Sequence, residues 1–265
     1  MKIFSLPLIF LLAPFFFPAS PANSASQGNG IIFSEANRFF SQANEATSSA
    51  EARKLYEKAL LRYEKLSREV QNGKLYYNIG NTYHELDDIG RAIVNFRRAE
   101  KLIPADGNLR QNLAYVLSTR QDSIPEKQEE KLLRTLFFWH FDLARDTRMR
   151  LFSVCYIGFW LAAGFMFFSG RPGSRWLAGS LLTPTLLLSA SLAIEHLTKS
   201  PRTGVIVAPE IVARQGDGQN YQPSFTAPLH AGTEFTLLED RKNWLRVELP
   251  DGRQCWLPSQ SSELI

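Results

Sequence analysis

The side chains best equipped for chemistry in this chain are scattered. His84, His140, His196 and His230 lie far apart, with no carboxylate or cysteine cluster at metal-ligand spacing. Glu85, Asp87 and Asp88 crowd together but lack the glycine and ligand spacing of a calcium loop, so they read as a solvated turn. There is no phosphate-cradling glycine loop, no GxSxG and no HExxH. The expectation is a non-enzymatic protein with no catalytic residue, no metal and no cofactor. Amide chemistry remains. Asparagine and glutamine carry donors and acceptors together, so a ladder of them pairs with the backbone of an extended peptide without reading its sequence.

The elements that would position such a ladder are clearest between residues 73 and 106. Small residues stand at Gly80, Ala92 and Ala99, large ones at Tyr76, Ile79, Tyr83 and Phe96, and a proline at Pro104. This spacing predicts two antiparallel helices touching along a seam of small side chains, with Pro104 ending the second. The stretch closely resembles one tetratricopeptide repeat, a unit of about 34 residues that holds other polypeptides. Every position of that pattern is suitably filled except one, where Asp87 stands in place of the usual turn glycine.

A weaker copy lies upstream, where Ala52, Tyr56 and Ala59 recur at the spacing of Ala92, Phe96 and Ala99, and Ala36, Phe40 and Ala43 mark its first helix. It carries an insertion of about six residues relative to the family period. Downstream, Leu113 and Ala114 match Ile79 and Gly80 and open a capping helix. In the register that the resemblance implies, Lys74, Tyr77, Asn78, Asn81 and His84 face a concave groove, joined by Gln111 and Asn112 from the next helix. Asn81 and Asn112 are the strongest candidates; the competing expectation is that these amides tie neighbouring helices together or face water. Tyr77 occupies a position that a carboxylate-clamping groove fills with a cation, so that mode is not expected.

The rest of the 265 residues divides by composition. Lys2, an apolar run from Ile3 to Phe17 and the small-residue exit PASPANSAS form a secretory signal peptide over 1–25, cleaved after Ala22 or Ala25, or else an uncleaved anchor. The helical repeat domain is expected at 31–120 and a basic, interfacial linker at 121–150. Leu151–Gly170 and Trp176–Ile194 contain no charged residue and are long enough to cross a bilayer, with only RPGSR between them. Two transmembrane helices, 151–170 and 176–194, fit better than buried helices of a soluble protein. A signal peptide would place both flanking domains on the exported side, with Arg171 and Arg175 inside. Arg145, Arg148 and Arg150 then lie on the exported side, where LRTLFFWHFDLARDTRMR is expected to rest along the membrane with its arginines on lipid phosphates. The net charge of +4 is modest and no basic stripe interleaved with aromatics occurs, which argues against nucleic acid.

From Thr203 the period becomes alternating, and residues 203–265 read as a small all-β barrel. Leu245, Val247 and Leu249 share a face, and Asp251-Gly252 marks a hairpin turn. The string LHAGTEFTLLEDRKNWLRVELPDGRQCWLP closely resembles the bacterial SH3-like domain, departing from it at Cys255 and in ARQGDG. Tyr221, Phe225, Trp244 and Trp256 are candidates for an aromatic surface on it, with barrel-core duty the more frequent fate of such residues. The fold class expected is therefore a multi-domain membrane protein: an all-α TPR array, a two-helix transmembrane hairpin and a small all-β SH3-like barrel.

This order of parts, with LYYNIGNTYHELDDIGRAIVNFRRAEKLIPADGNLRQNLA, resembles the BatE proteins of bacterial aerotolerance operons. The resemblance implies an inner-membrane scaffold that gathers envelope proteins, with membrane-tethered von Willebrand factor A-domain proteins as partners and a MoxR-type ATPase encoded alongside. An alternative role is cell-wall attachment, with the SH3-like domain binding peptidoglycan.

Overall fold

The computed structural model describes residues 23–125, 127, 132–133, 135–169, 172–197 and 201–265. The expected signal peptide, apart from its last three residues, lies outside the described residues, as do parts of the 121–150 linker and of the RPGSR turn.

Five helices form the N-terminal array: α1 (Asn23–Glu45), α2 (Ser49–Ser67), α3 (Gly73–Glu85), α4 (Ile89–Leu102) and α5 (Gly107–Thr119). Three of these helices, α3, α4 and α5, start on side-chain oxygens. Asn72 accepts from the amides of Lys74 and Leu75, Asp88 from Arg91, and Asp106 from Leu109, which satisfies donors that a helix start leaves open. Between α3 and α4, Asp87 has φ +64°, the left-handed conformation for which the usual glycine is suited. The seam is close. A Cβ on Gly80 would stand 2.6 Å from the Phe96 ring, and Ala59, Ala92 and Ala99 are fully buried. One cluster joins Ala36, Ala59, Tyr63, Leu66, Leu75 and Ile79; a second gathers Phe96, Ala99, Leu109, Leu113 and Val116 around α4. Ala114, matched in sequence to Gly80, is exposed, and among the described residues no further helix packs over it. The array also begins earlier than 31, since α1 already contains Asn23.

After a short helix α6 (Phe138–Phe141) come two long helices, α7 (Arg145–Ser169) and α8 (Pro172–Leu197), packed side by side. Both are long and apolar enough to cross a membrane, at Arg145–Phe167 and Arg175–Leu197. Only 6% and 22% of their apolar windows are buried, whereas a core helix of a soluble protein would be mostly covered. Gly158 lies against Leu181, and Ala162, Ala178 and Thr185 are buried, so small residues line the contact as they do between membrane helices.

Here the structure corrects one expectation. Arg148 does not reach outward to lipid phosphates. It is 5% exposed, pairs with Glu195 and donates to the Ser191 hydroxyl at 2.8 Å, while Arg145 and Arg150 stay exposed. Helix α7 starts at Arg145, six residues before the apolar run, so the arginines continue the helix. The turn holding Arg148 meets the end of α8, where a buried guanidinium finds its counter-charge.

The C-terminal region is a separate antiparallel sheet with strand order β6-β5-β4-β1-β7: β1 (Thr203–Ile206), β4 (Glu234–Arg241), β5 (Trp244–Glu248), β6 (Gln254–Pro258) and β7 (Ser262–Leu264). A two-stranded ribbon, β2 (Glu210–Ile211) and β3 (Leu229–His230), stands beside it. Leu245, Val247 and Leu249 all point inward, at 4%, 0% and 2% exposure. Gly232 and the expected turn glycine Gly252 have φ of +91° and +92°. Cys155 and Cys255 are both free, and burial pushes the Cys255 thiol up to about 12. Helix α4 meets β1 and β7, and Val205 of β1 belongs to the same core cluster as α4.

Candidate peptide-binding groove

Helices α1, α3 and α5 lie on one side of the array, and two adjoining hollows of about 290 and 330 Å³ run between them. Asn37, Ser41, Tyr63 and Asn78 line the first. Asn81, His84, Glu85, Asn112 and Tyr115 line the second, and Phe40 and Asn44 line both. The shared residues make the two hollows one trough.

Amides form a row along it, and most are already bonded to a neighbouring helix. The Tyr63 hydroxyl donates to Asn37 Oδ1 at 2.6 Å, where Asn78 Nδ2 also donates at 3.2 Å. The Tyr56 hydroxyl donates to Asn44 Oδ1 at 2.6 Å. Asn112 Nδ2 donates to Asn81 Oδ1 at 2.8 Å and to the Tyr77 hydroxyl at 3.0 Å. These bonds use the carbonyl oxygens of Asn37, Asn44 and Asn81, which fixes each amide's orientation. Among the described residues no protein partner is found for the Nδ2 groups of Asn44 and Asn81, so they remain donors for a carbonyl laid along the trough. Burial pushes the Tyr63 phenol up to about 12, and burial followed by the charge of Glu85 raises that of Tyr56. Both hydroxyls therefore stay protonated and keep donating.

Of the seven sequence candidates, the structure places Asn78, Asn81, His84 and Asn112 on the hollows. Lys74 and Gln111 are exposed and line neither. Tyr77 is half-buried under Asn112, with its ring 6.0 Å from that of Phe96. Among the described residues, no lysine or arginine lines either hollow. The His84 ring instead meets Tyr115 edge-on at 5.6 Å. Sequence reasoning missed the contribution of α1: Asn37, Ser41 and Asn44 lie four and three residues apart, on one helical face.

On the C-terminal sheet the four aromatic candidates are engaged separately. Trp256 is 9% exposed beneath the Arg241 guanidinium, 4.9 Å from the ring centre. Phe225 lies under Arg253 at 4.6 Å. Tyr221 is 51% exposed, with its ring against Gly216 and Gly218, and Trp244 is half-buried. A hollow of about 440 Å³ between Glu210, Pro223 and Pro228 includes only Phe225 of the four.

Comparison with curated proteins gives no significant match. Residues 73–106 match the family profile described as Tetratricopeptide repeat, a class of unit that generally serves protein–protein contact. Helices α3 and α4 are thus one tetratricopeptide repeat, set in a helical array between the α1–α2 pair and α5.

Proposed function

We propose that this chain is a non-enzymatic, membrane-anchored adaptor whose trough binds an extended segment of another envelope protein. The observation that carries the reading is the row of oriented amides on a tetratricopeptide array, where, among the described residues, the Nδ2 groups of Asn44 and Asn81 have no protein partner and no lysine or arginine lines the trough. Such a groove suits main-chain recognition of a neutral stretch. The uncovered apolar faces of α7 and α8 support bilayer insertion as a hairpin. The N-terminal apolar stretch supports export of the flanking modules, and the C-terminal sheet, with its inward Leu245, Val247 and Leu249, supports the SH3-like assignment. The order of parts resembles the BatE proteins, which makes membrane-tethered von Willebrand factor A-domain proteins the first partners to test. The arginine cover over Trp256 and Phe225 gives less support to peptidoglycan attachment.

The test is co-purification from detergent-solubilised membranes with the full chain and its Tyr115→Glu variant. Tyr115 is 59% exposed on the trough, so the charge enters the groove without disturbing the core. Partners that bind there are lost with the variant; an unchanged partner set contradicts the assignment.

A further inference from the structure

The side of α4 turned away from α3 carries a stripe that a free helix would not choose. Gly90, Ile93, Arg97 and Lys101 recur at helical spacing, and all four meet the C-terminal region. A Cβ on Gly90 would stand 2.7 Å from the carbonyl oxygen of Ile206 and 2.8 Å from Val207 Cα, so only glycine fits. Ile93 is fully buried, with its Cδ1 3.0 Å from where a Cβ on Gly232 would lie. Arg97 donates to Glu234 at 2.7 Å, and Lys101 donates to the Ile265 carbonyl at 3.0 Å. Beside the stripe, Glu263 pairs with both Arg91 and Arg98. A cationic helix face meets Glu234 and Glu263 of the sheet around an apolar centre.

We infer that the outer face of α4 is a dedicated docking surface for this chain's own C-terminal sheet. The array and the sheet then form one head, and both ends of the apolar hairpin leave that head on the same side of the bilayer. The contact joins segments that lie before and after α7 and α8 in the chain, and a face carrying Arg91, Arg97, Arg98 and Lys101 does not close through hydrocarbon. Six peptide steps separate Leu197 from Thr203, a reach of at most about 20 Å, so the sheet stands next to the membrane and holds the array there with it. The inference rests on the membrane reading of α7 and α8 but not on the groove. It makes the sheet a built-in partner of the array in addition to any ligand it takes.

The test uses the full chain in its own membrane. Single cysteines at the exposed positions Lys54 of the array and Asn220 of the sheet region are probed with a membrane-impermeant maleimide before and after permeabilisation, with the unaltered protein as the blank. Matching patterns are expected; labelling from opposite sides overturns the inference. Docking is read at Ile93→Cys, whose thiol is covered in the clasped head. Adding Gly90→Leu, which collides with Ile206, is expected to speed its labelling by about tenfold or more, the response of a site that reacts only when its covering contact opens. An unchanged rate overturns docking. Neither readout involves the trough, so a failure here is distinct from a failure to bind a partner.

Discussion

Asn112 donates from one amide nitrogen to both Asn81 Oδ1, at 2.8 Å, and the Tyr77 hydroxyl, at 3.0 Å. The amide that ties α5 to α3 is thus also a groove residue. Tying helices and lining the hollow coincide at this position.

A double-mutant cycle measures the tie. Asn112→Ala is expected to cost about 1 kcal/mol, and the coupling to Asn81→Ala to be about 0.5–1 kcal/mol in urea unfolding. Asn81→Ala alone keeps helical content and melting temperature close to those of the parent while weakening partner capture. Unfolding as severe as that from core overpacking would make Asn81 purely structural.

Asp87 pays for its left-handed φ of +64° with strain that glycine lacks. Asp87→Gly is expected to leave stability unchanged or raise it by up to about 1 kcal/mol, and Asp87→Val to lower it by about 1–2 kcal/mol. Thermal melting followed by circular dichroism distinguishes the two.

The helix seam is intolerant of bulk. Gly80→Ala drives a methyl into the Phe96 ring and is expected to cost about 1–3 kcal/mol. Ala92→Phe, at a fully buried position, is expected to unfold the repeat and abolish its cooperative transition.

Asp122 fastens the segment after α5 to the sheet. Its carboxylate accepts from the His230 amide at 2.6 Å, the His230 ring at 2.9 Å and the Thr233 hydroxyl at 2.6 Å. Burial pushes its pKa upward, but these hydrogen bonds and the His230 charge outweigh burial and hold it below the usual carboxylate range. A depressed carboxyl contributes its full stability above the unfolded value, about 3.9, and loses it as pH falls through the lower folded value. The parent's melting temperature is therefore expected to carry an acid-side decline below about pH 4 that is shallower in Asp122→Asn, measured by calorimetry across pH 2.5–7.

Glu195→Gln leaves the Arg148 guanidinium buried without its counter-charge, and is expected to destabilise the hairpin by about 3–5 kcal/mol. Replacing both partners, as Arg148→Met with Glu195→Leu, is expected to recover most of that loss. The melting temperature in detergent reads both.

The repeat was legible because its geometry is local. A small residue is required wherever two helices touch, so Gly80, Ala92 and Ala99 announce the seam, and Asp251-Gly252 announces its hairpin for the same kind of reason. The contribution of α1 was not legible, because Asn37, Ser41 and Asn44 belong to a degenerate repeat with an insertion that blurs the register. Nor could the sequence show Arg241 over Trp256 or Glu195 beside Arg148, since these contacts join residues on different strands or helices. Gly90 was the one overlooked clue to docking: a glycine near the start of α4 has no turn to serve and marks a close backbone approach.

The most direct measurement is photo-crosslinking in cells from a photoreactive residue at Tyr115, with the same residue at Leu61, which is 67% exposed on α2 and does not line the trough, as the control. Tyr115 is expected to capture membrane-anchored envelope proteins that Leu61 does not, and Asn44→Ala with Asn81→Ala to reduce the yield. Identical products from both positions, or only lipid and cell-wall fragments from Tyr115, would contradict the proposed groove.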